Sequence, residues 1–281
     1  MGTSSIIKRL SITATSAILS VGLIMLDSKG ALAVNIGYFT DFNESTIVPE
    51  AVIKQAGFTP VKITDISTFD LSSINTLFVN ESSNDKLSSA LLGRLGDITS
   101  WVKGGKSFIV HDRFVSNNIK DPQSNPFLIG ASGTLVDRDF TNSADIDVIA
   151  PGNTLVTNGP NGIINNLTLD KGSSSSHGFA LASTLPVGAE AILSVSSDSK
   201  KVAAFSYTLG SGVVYYSTIP LDYYLEGYPP NPPQKQLAKI YAPNVLAYVQ
   251  AQRESVPEPA SMLGLLVFGA CGATSLLKRK Q

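Results

Sequence analysis

The chain holds two histidines and one cysteine in 281 residues, and their positions limit the chemistry it can do. His111 precedes Asp112, and an imidazole with a carboxylate beside it can act as a general base near neutral pH. Neighbours on a strand point to opposite faces, however, so Asp112 need not reach the ring. His177 follows the run Ser173-Ser174-Ser175-Ser176. A serine hydrolase requires a held nucleophile, an adjacent base and an orienting carboxylate, whereas Gly172 to Ser176 is flexible by composition. No G-x-S-x-G elbow is present, and Gly130-Ala131-Ser132-Gly133 lacks its spacing. His111, Asp112 and His177 are the catalytic candidates. Asp41 and Glu81 join them if a pocket forms where parallel strands end. Asp137, Asp139, Asp145 and Asp147 could attract calcium, which needs six to eight converging oxygens. Their spacing fits no calcium loop, so they are expected to be solvated acids around a hairpin. Cys271 lies in an apolar run near the C-terminus. The rest of the chain therefore has no thiol nucleophile, Cys-ligated zinc or disulfide. No metal and no cofactor is expected.

With 21 basic and 22 acidic residues and no basic stripe, the composition does not point to nucleic acid. The two ends point to a membrane. Lys8 and Arg9 precede an apolar stretch from Leu10 to Leu26, and Ala31-Leu32-Ala33 offers the small-x-small pattern that signal peptidase accepts. Residues 1–33 read as a signal peptide, with the mature chain starting at Val34. At the other end, Val256-Pro257-Glu258-Pro259-Ala260 leads into an apolar run from Ser261 to Leu277, followed by Lys278-Arg279-Lys280. That run, about 17 residues, reaches the minimum for a spanning helix. Basic flanks collect on the cytoplasmic side, so both ends would face inward and the body outward. The Pro-Glu-Pro motif, apolar helix and basic end of residues 256–281 resemble the PEP-CTERM sorting signal of exported bacterial proteins. The resemblance implies an exosortase-like sorting protease as partner. It also implies at least transient anchoring in the membrane, then a place at the cell surface or outside the cell.

The elements that would position the candidate residues are legible in the first half of the body. Val34, Ile36, Tyr38 and Phe42 alternate as a strand does. Pro49 and Gly57 mark the start and end of a helix, and a strand near 60–64 follows. Leu77-Phe78-Val79 and Phe108-Ile109-Val110 read as buried strands. Between them Leu87, Leu91, Leu95, Ile98 and Val102 form one helical face, with Asn84 or Asp85 as its cap and Gly104-Gly105 as its stop. Apolar strands alternating with helices predict a parallel sheet covered on both faces. From 116 to 199 the pattern loosens into short strands and loops. Residues 202–207 and 213–219 then form strands joined by Leu209-Gly210-Ser211-Gly212. Pro229 to Pro233 is a stiff spacer. Leu237, Tyr241, Val245 and Tyr248 mark a last helix, which Pro243 kinks or divides.

In two places the body resembles the class I glutamine amidotransferase-like superfamily, in particular its trehalose-utilisation-like branch. One is Trp101-Val102-Lys103-Gly104-Gly105 with the strand that ends at His111. The other is the stretch from Gly210 to Asp222. The resemblance implies α/β architecture: a mostly parallel, flavodoxin-like sheet with helices on both faces over residues 34–228, and a loop- and strand-rich insertion at 116–199. Residues 229–255 would form the spacer and the body's terminal helix, and 256–281 a tail with a transmembrane helix. Amidotransferases carry a nucleophilic cysteine at the turn that here reads His111-Asp112-Arg113, so glutamine hydrolysis by that route is not expected. The expected function is that of an exported surface or matrix protein with a non-catalytic binding body and extracellular polysaccharide as the partner class. Tyr215, Tyr216, Tyr223, Tyr224 and Tyr228 are its candidate sugar contacts. The alternative is an exported carbohydrate-active enzyme with its site around His111.

Overall fold

A computed structural model describes residues 34–42, 49–115, 123–139, 145–149, 152, 154–169, 175–225 and 236–255. The first half alternates strand and helix: β1 (Asn35–Asp41), α1 (Pro49–Gln55), β2 (Thr59–Lys62), β3 (Thr76–Glu81), α2 (Ser89–Lys103) and β4 (Ser107–His111). The second half is strand-rich. It contains β5 (Gln123–Ser124), β6 (Leu135–Arg138), β7 (Ile146–Val148), β8 (Asn158–Gly159), β9 (Gly162–Ile163) and α3 (Asn166–Leu169). After these come β10 (Gly178–Leu181), β11 (Glu190–Val195), β12 (Asp198–Leu209), β13 (Gly212–Ser217), α4 (Leu221–Leu225) and α5 (Ala242–Ser255).

The main sheet runs β2-β1-β3-β4-β13 with every pair parallel, then continues antiparallel through β12, β10, β6 and β5. The parallel half has the order of a flavodoxin-like sheet, and the order reverses between β1 and β3. Successive side chains on its strands go to opposite faces. Phe78, Ile109 and Tyr215 therefore pack with Val52 and Ile53 of α1 and with Val245, Tyr248 and Val249 of α5. Leu77, Val79, Phe108, Val110, Val214 and Tyr216 pack on the other side with Leu91, Ile98 and Val102 of α2. Helices thus cover both faces, as the apolar strands require.

The expected insertion is less separate than its composition suggests. Its strands β10, β6 and β5 extend the same sheet, while β7 joins the opposite branch through β11. The four aspartates consequently do not surround one hairpin, because β6 and β7 have different partners. The α2 cap is also corrected. Ser88, not Asn84 or Asp85, is the N-cap and accepts from the Leu91 N–H at 3.2 Å, so Leu87 lies before the helix. Gly57, just past α1, has φ +85°, as expected for a residue that ends a helix.

The division of the last helix takes a specific form. Leu237–Tyr241 is a π-helical turn, and the Ala242 N–H bonds back to Leu237 O before α5 continues. Pro243 has no N–H and its ring crowds the preceding turn, and a widened turn relieves both. No helix among the described residues is long and apolar enough to cross a membrane. Residues 1–33, the 229–233 spacer and the whole 256–281 tail lie outside the described residues.

Candidate functional site

The strand register places two polar rows at the carboxyl edge of the parallel half, one on each face. Thr40, Asn80, His111 and Ser217 are neighbours in one row. Asp41 and Glu81 are neighbours in the other, continued by Asp112, whose N–H donates to Ser217 O at 2.8 Å. His111 and Asp112 therefore lie on opposite faces, as strand geometry expects.

His111 is enclosed by aromatic rings. Phe78 and Tyr241 meet it edge-on with centroids 5.6 and 5.7 Å away, and Tyr215 lies at 6.1 Å. Its Nε2 is 3.3 Å from the Tyr241 hydroxyl, which also donates to Ser217 Oγ at 3.1 Å and contacts the Tyr215 hydroxyl at 3.0 Å. Its Nδ1 is buried with no hydrogen-bond partner among the described residues. Burial in this apolar shell pushes its pKa down to about 3. The ring is neutral at physiological pH and sealed from solvent. Next to it in the row, Asn80 is equally buried, and neither Oδ1 nor Nδ2 has a partner among the described residues.

Asp112 is fully engaged on its own face. It accepts from the Val115 N–H at 2.9 Å, from Asn125 Nδ2 at 2.6 Å and from the Tyr216 hydroxyl at 2.8 Å. Burial raises its pKa against the effect of these bonds. The bond to Val115 holds that residue at φ 44°, a left-handed conformation that a β-branched side chain disfavours. Asp112 is thus the clamp of the turn after β4.

Glu81 is also sealed from solvent. Its Oε1 accepts from the Ser83 N–H at 2.6 Å. Burial first, then repulsion from Asp112, pushes its pKa up to about 9, so it is a neutral acid at pH 7. Asp41 accepts from the Ser88 N–H at 2.9 Å and so anchors the start of α2 to the end of β1. Arg113 forms a 2.6 Å ion pair with buried Asp222 and donates to Asn84 Oδ1 at 3.0 Å. Arg138 donates to the carbonyls of Asn84 and Phe114.

His177 reaches this edge from the loop before β10. Its N–H donates to Thr218 O at 2.9 Å and its Nδ1 to Arg113 O at 2.7 Å. Burial lowers its pKa to about 4. The end of the serine run is packed, not loose: Ser175 and Ser176 are fully buried. Asp41, Glu81, His111, Asp112 and His177 converge on one sheet edge, and the contacts among the described residues pair no nucleophile with a base there. Among the described residues no group of three or more His, Cys, Asp or Glu could hold a metal. Tyr215, Tyr216 and Tyr224 are core residues and Tyr223 is half-buried against the core, so among the described residues these candidates form no exposed aromatic row. Tyr228 lies outside the described residues. Sequence reasoning missed Arg113, Arg138 and Asp222, whose partners come from distant elements and leave no local signal.

No family model matches the chain, and no curated protein sequence does. Solved structures do. A cytoplasmic protein from Salmonella typhimurium LT2 is similar at TM-score 0.52 and 11% identity, over 77% of this chain and 99% of that one. A glutamine amidotransferase from Thermotoga maritima is similar at TM-score 0.46 and 10% identity, over 79% of this chain and 99% of that one. An exo-β-1,4-mannosidase from Opitutaceae bacterium strain TAV5 is similar at TM-score 0.42 and 10% identity, over 77% of this chain. The chain spans 36% of that mannosidase's length. Likeness at such identities reaches the fold alone.

Proposed function

We propose that this is an exported cell-surface or matrix protein whose α/β body is a non-catalytic binding module, with extracellular polysaccharide as its partner class. Export rests on the sequence: the signal-like residues 1–33 with Ala31 and Ala33, and the tail from Val256 through Pro257-Glu258-Pro259-Ala260 to Lys278-Arg279-Lys280. The observation that carries the non-catalytic half is the orientation of the His111-Asp112 pair. The imidazole faces Tyr241, the carboxylate faces Tyr216, and both are at most 1% exposed. A general base must come within hydrogen-bond reach of a substrate proton, and neither group has a route to one. One observation favours the enzyme reading: Glu81 is a buried carboxylic acid kept protonated near neutral pH, the state a general acid needs. With Glu81 sealed from solvent as well, we keep the binding reading.

The test is the intact mass of the protein in the native host, from the membrane fraction and from the surface or medium. A species that starts at Val34 and ends close to Pro257 is expected outside the membrane. A surface species that keeps Lys278 to Gln281 would end the sorting reading, and a protein confined to the cytoplasm would end the export reading.

A further inference from the structure

Away from the carboxyl edge, the carboxyl end of α5 meets the start of β11 and the turn at 154–155 around a cavity of about 260 Å³. We propose that this cavity is a binding subsite for a neutral, polyhydroxylated ligand: one sugar unit of a polysaccharide. The inference rests on the binding-module reading and gives it a location.

The polar side of the cavity is preorganised. Tyr248 is rooted in the core at 2% exposure. Its hydroxyl donates to Glu190 Oε2 at 2.5 Å and lies 2.5 Å from Ser206 Oγ on β12. The Tyr248 hydroxyl, itself held by Ser206, therefore orients the Glu190 carboxylate before any ligand arrives, and such prior ordering lowers the cost of binding. Gln252, one turn along α5 from Tyr248, adds a carboxamide, which both donates and accepts. Leu155 and Ala251 supply apolar wall on the same cavity. Acceptors and donors beside a small apolar surface match the vicinal hydroxyls and C–H face of a pyranose.

Charge and size narrow the class. Among the described residues of the lining Glu190 is the one charged side chain, and its field repels phosphate, sulfate and uronate groups. Calcium would need six to eight oxygens, and this lining offers a single carboxylate. Pockets for drug-sized molecules run from about 300 to 1,000 Å³, so a cavity of about 260 Å³ suits one ring of a longer chain. Glu190 itself is exposed, which leaves the site open to a polymer passing across it.

Calorimetric titration of the full-length protein, in a detergent without a sugar headgroup, tests the assignment. The probes are cellohexaose, mannohexaose, galactohexaose and an alginate hexamer. At least one neutral hexasaccharide should bind and alginate should not. Glu190→Gln and Gln252→Ala should each weaken binding at least tenfold with the thermal midpoint unchanged. Binding of a neutral hexasaccharide that neither variant alters would overturn the cavity assignment and leave the binding-module reading standing. Preferential binding of alginate would overturn the neutral class. Failure of every probe to bind would remove both the subsite and the polysaccharide reading.

Discussion

At Asn80 a fully buried carboxamide has no partner for its oxygen or its nitrogen among the described residues. Such a group carries a desolvation cost of about 1 to 3 kcal/mol, whereas an apolar replacement of similar shape carries none. Asn80→Leu is therefore expected to stabilise the fold by about 1 kcal/mol, read as a rise in urea midpoint at unchanged slope. A clear loss of stability would mean that something polar occupies this edge. Asp112 is the opposite case. Removing its side chain strands the Val115 N–H, Asn125 and the Tyr216 hydroxyl, and frees a strained turn. Asp112→Ala should cost about 3 kcal/mol or more. His111→Phe, which keeps a ring among Phe78, Tyr215 and Tyr241, should cost well under half of that at pH 7. Equal losses from the two changes would contradict the division of the pair between two faces.

Elements report how local signals combine with distant ones. Pro49 and Gly57 bracket α1, and Gly210 turns β12 into β13 at φ +63°, all as the residue types require. The start of α2 was not legible, because Asn84, Asp85 and Ser88 all have capping chemistry. Ser88 holds the position through a contact 47 residues away, where its N–H meets Asp41 Oδ2. Ser88→Ala should lower stability by about 1 kcal/mol, and Asp85→Ala should change it by less than about 0.5 kcal/mol. Thermal or chemical melts of the two variants decide the matter, and the reverse order would restore the sequence-based cap. The antiparallel extension was hidden for a different reason. Strands such as β5 and β10, two and four residues long, are too short for a period of two to stand out. Only pairing with β6 and β12 makes them part of the sheet.

On the scale of the whole molecule, sequence identified which residues gather at the sheet's carboxyl edge, but not that the edge is closed. Closure depends on Tyr241 arriving over His111 from 130 residues away and on His177 docking against Arg113. The sealed edge leaves a signature in the stability of the entire fold. Glu81 keeps its proton up to about pH 9 when folded, against an ordinary value of 4.5. Between those values the native state holds a proton that the unfolded chain has released, so stability falls as pH rises. The slope is up to about 1.4 kcal/mol per pH unit for one proton. Asp112, also raised by burial, acts in the same direction from a lower starting point. The histidines act the other way. His111 and His177 ionise at about 3 and about 4 when folded, against an ordinary value of 6.5, so each loses stability as pH falls through that window. From about pH 7.5 to 9 the histidine contributions are nearly constant and the acids dominate. Denaturation midpoints should therefore decline from about pH 7.5 toward 9, and Glu81→Gln should flatten that decline, with its largest benefit at the alkaline end. The cost of His111→Phe relative to the natural chain should instead shrink, and then reverse, as pH drops from 6.5 toward 3. Identical pH profiles for the natural chain and Glu81→Gln would mean that Glu81 ionises freely in the folded protein, and the edge would then be open to water.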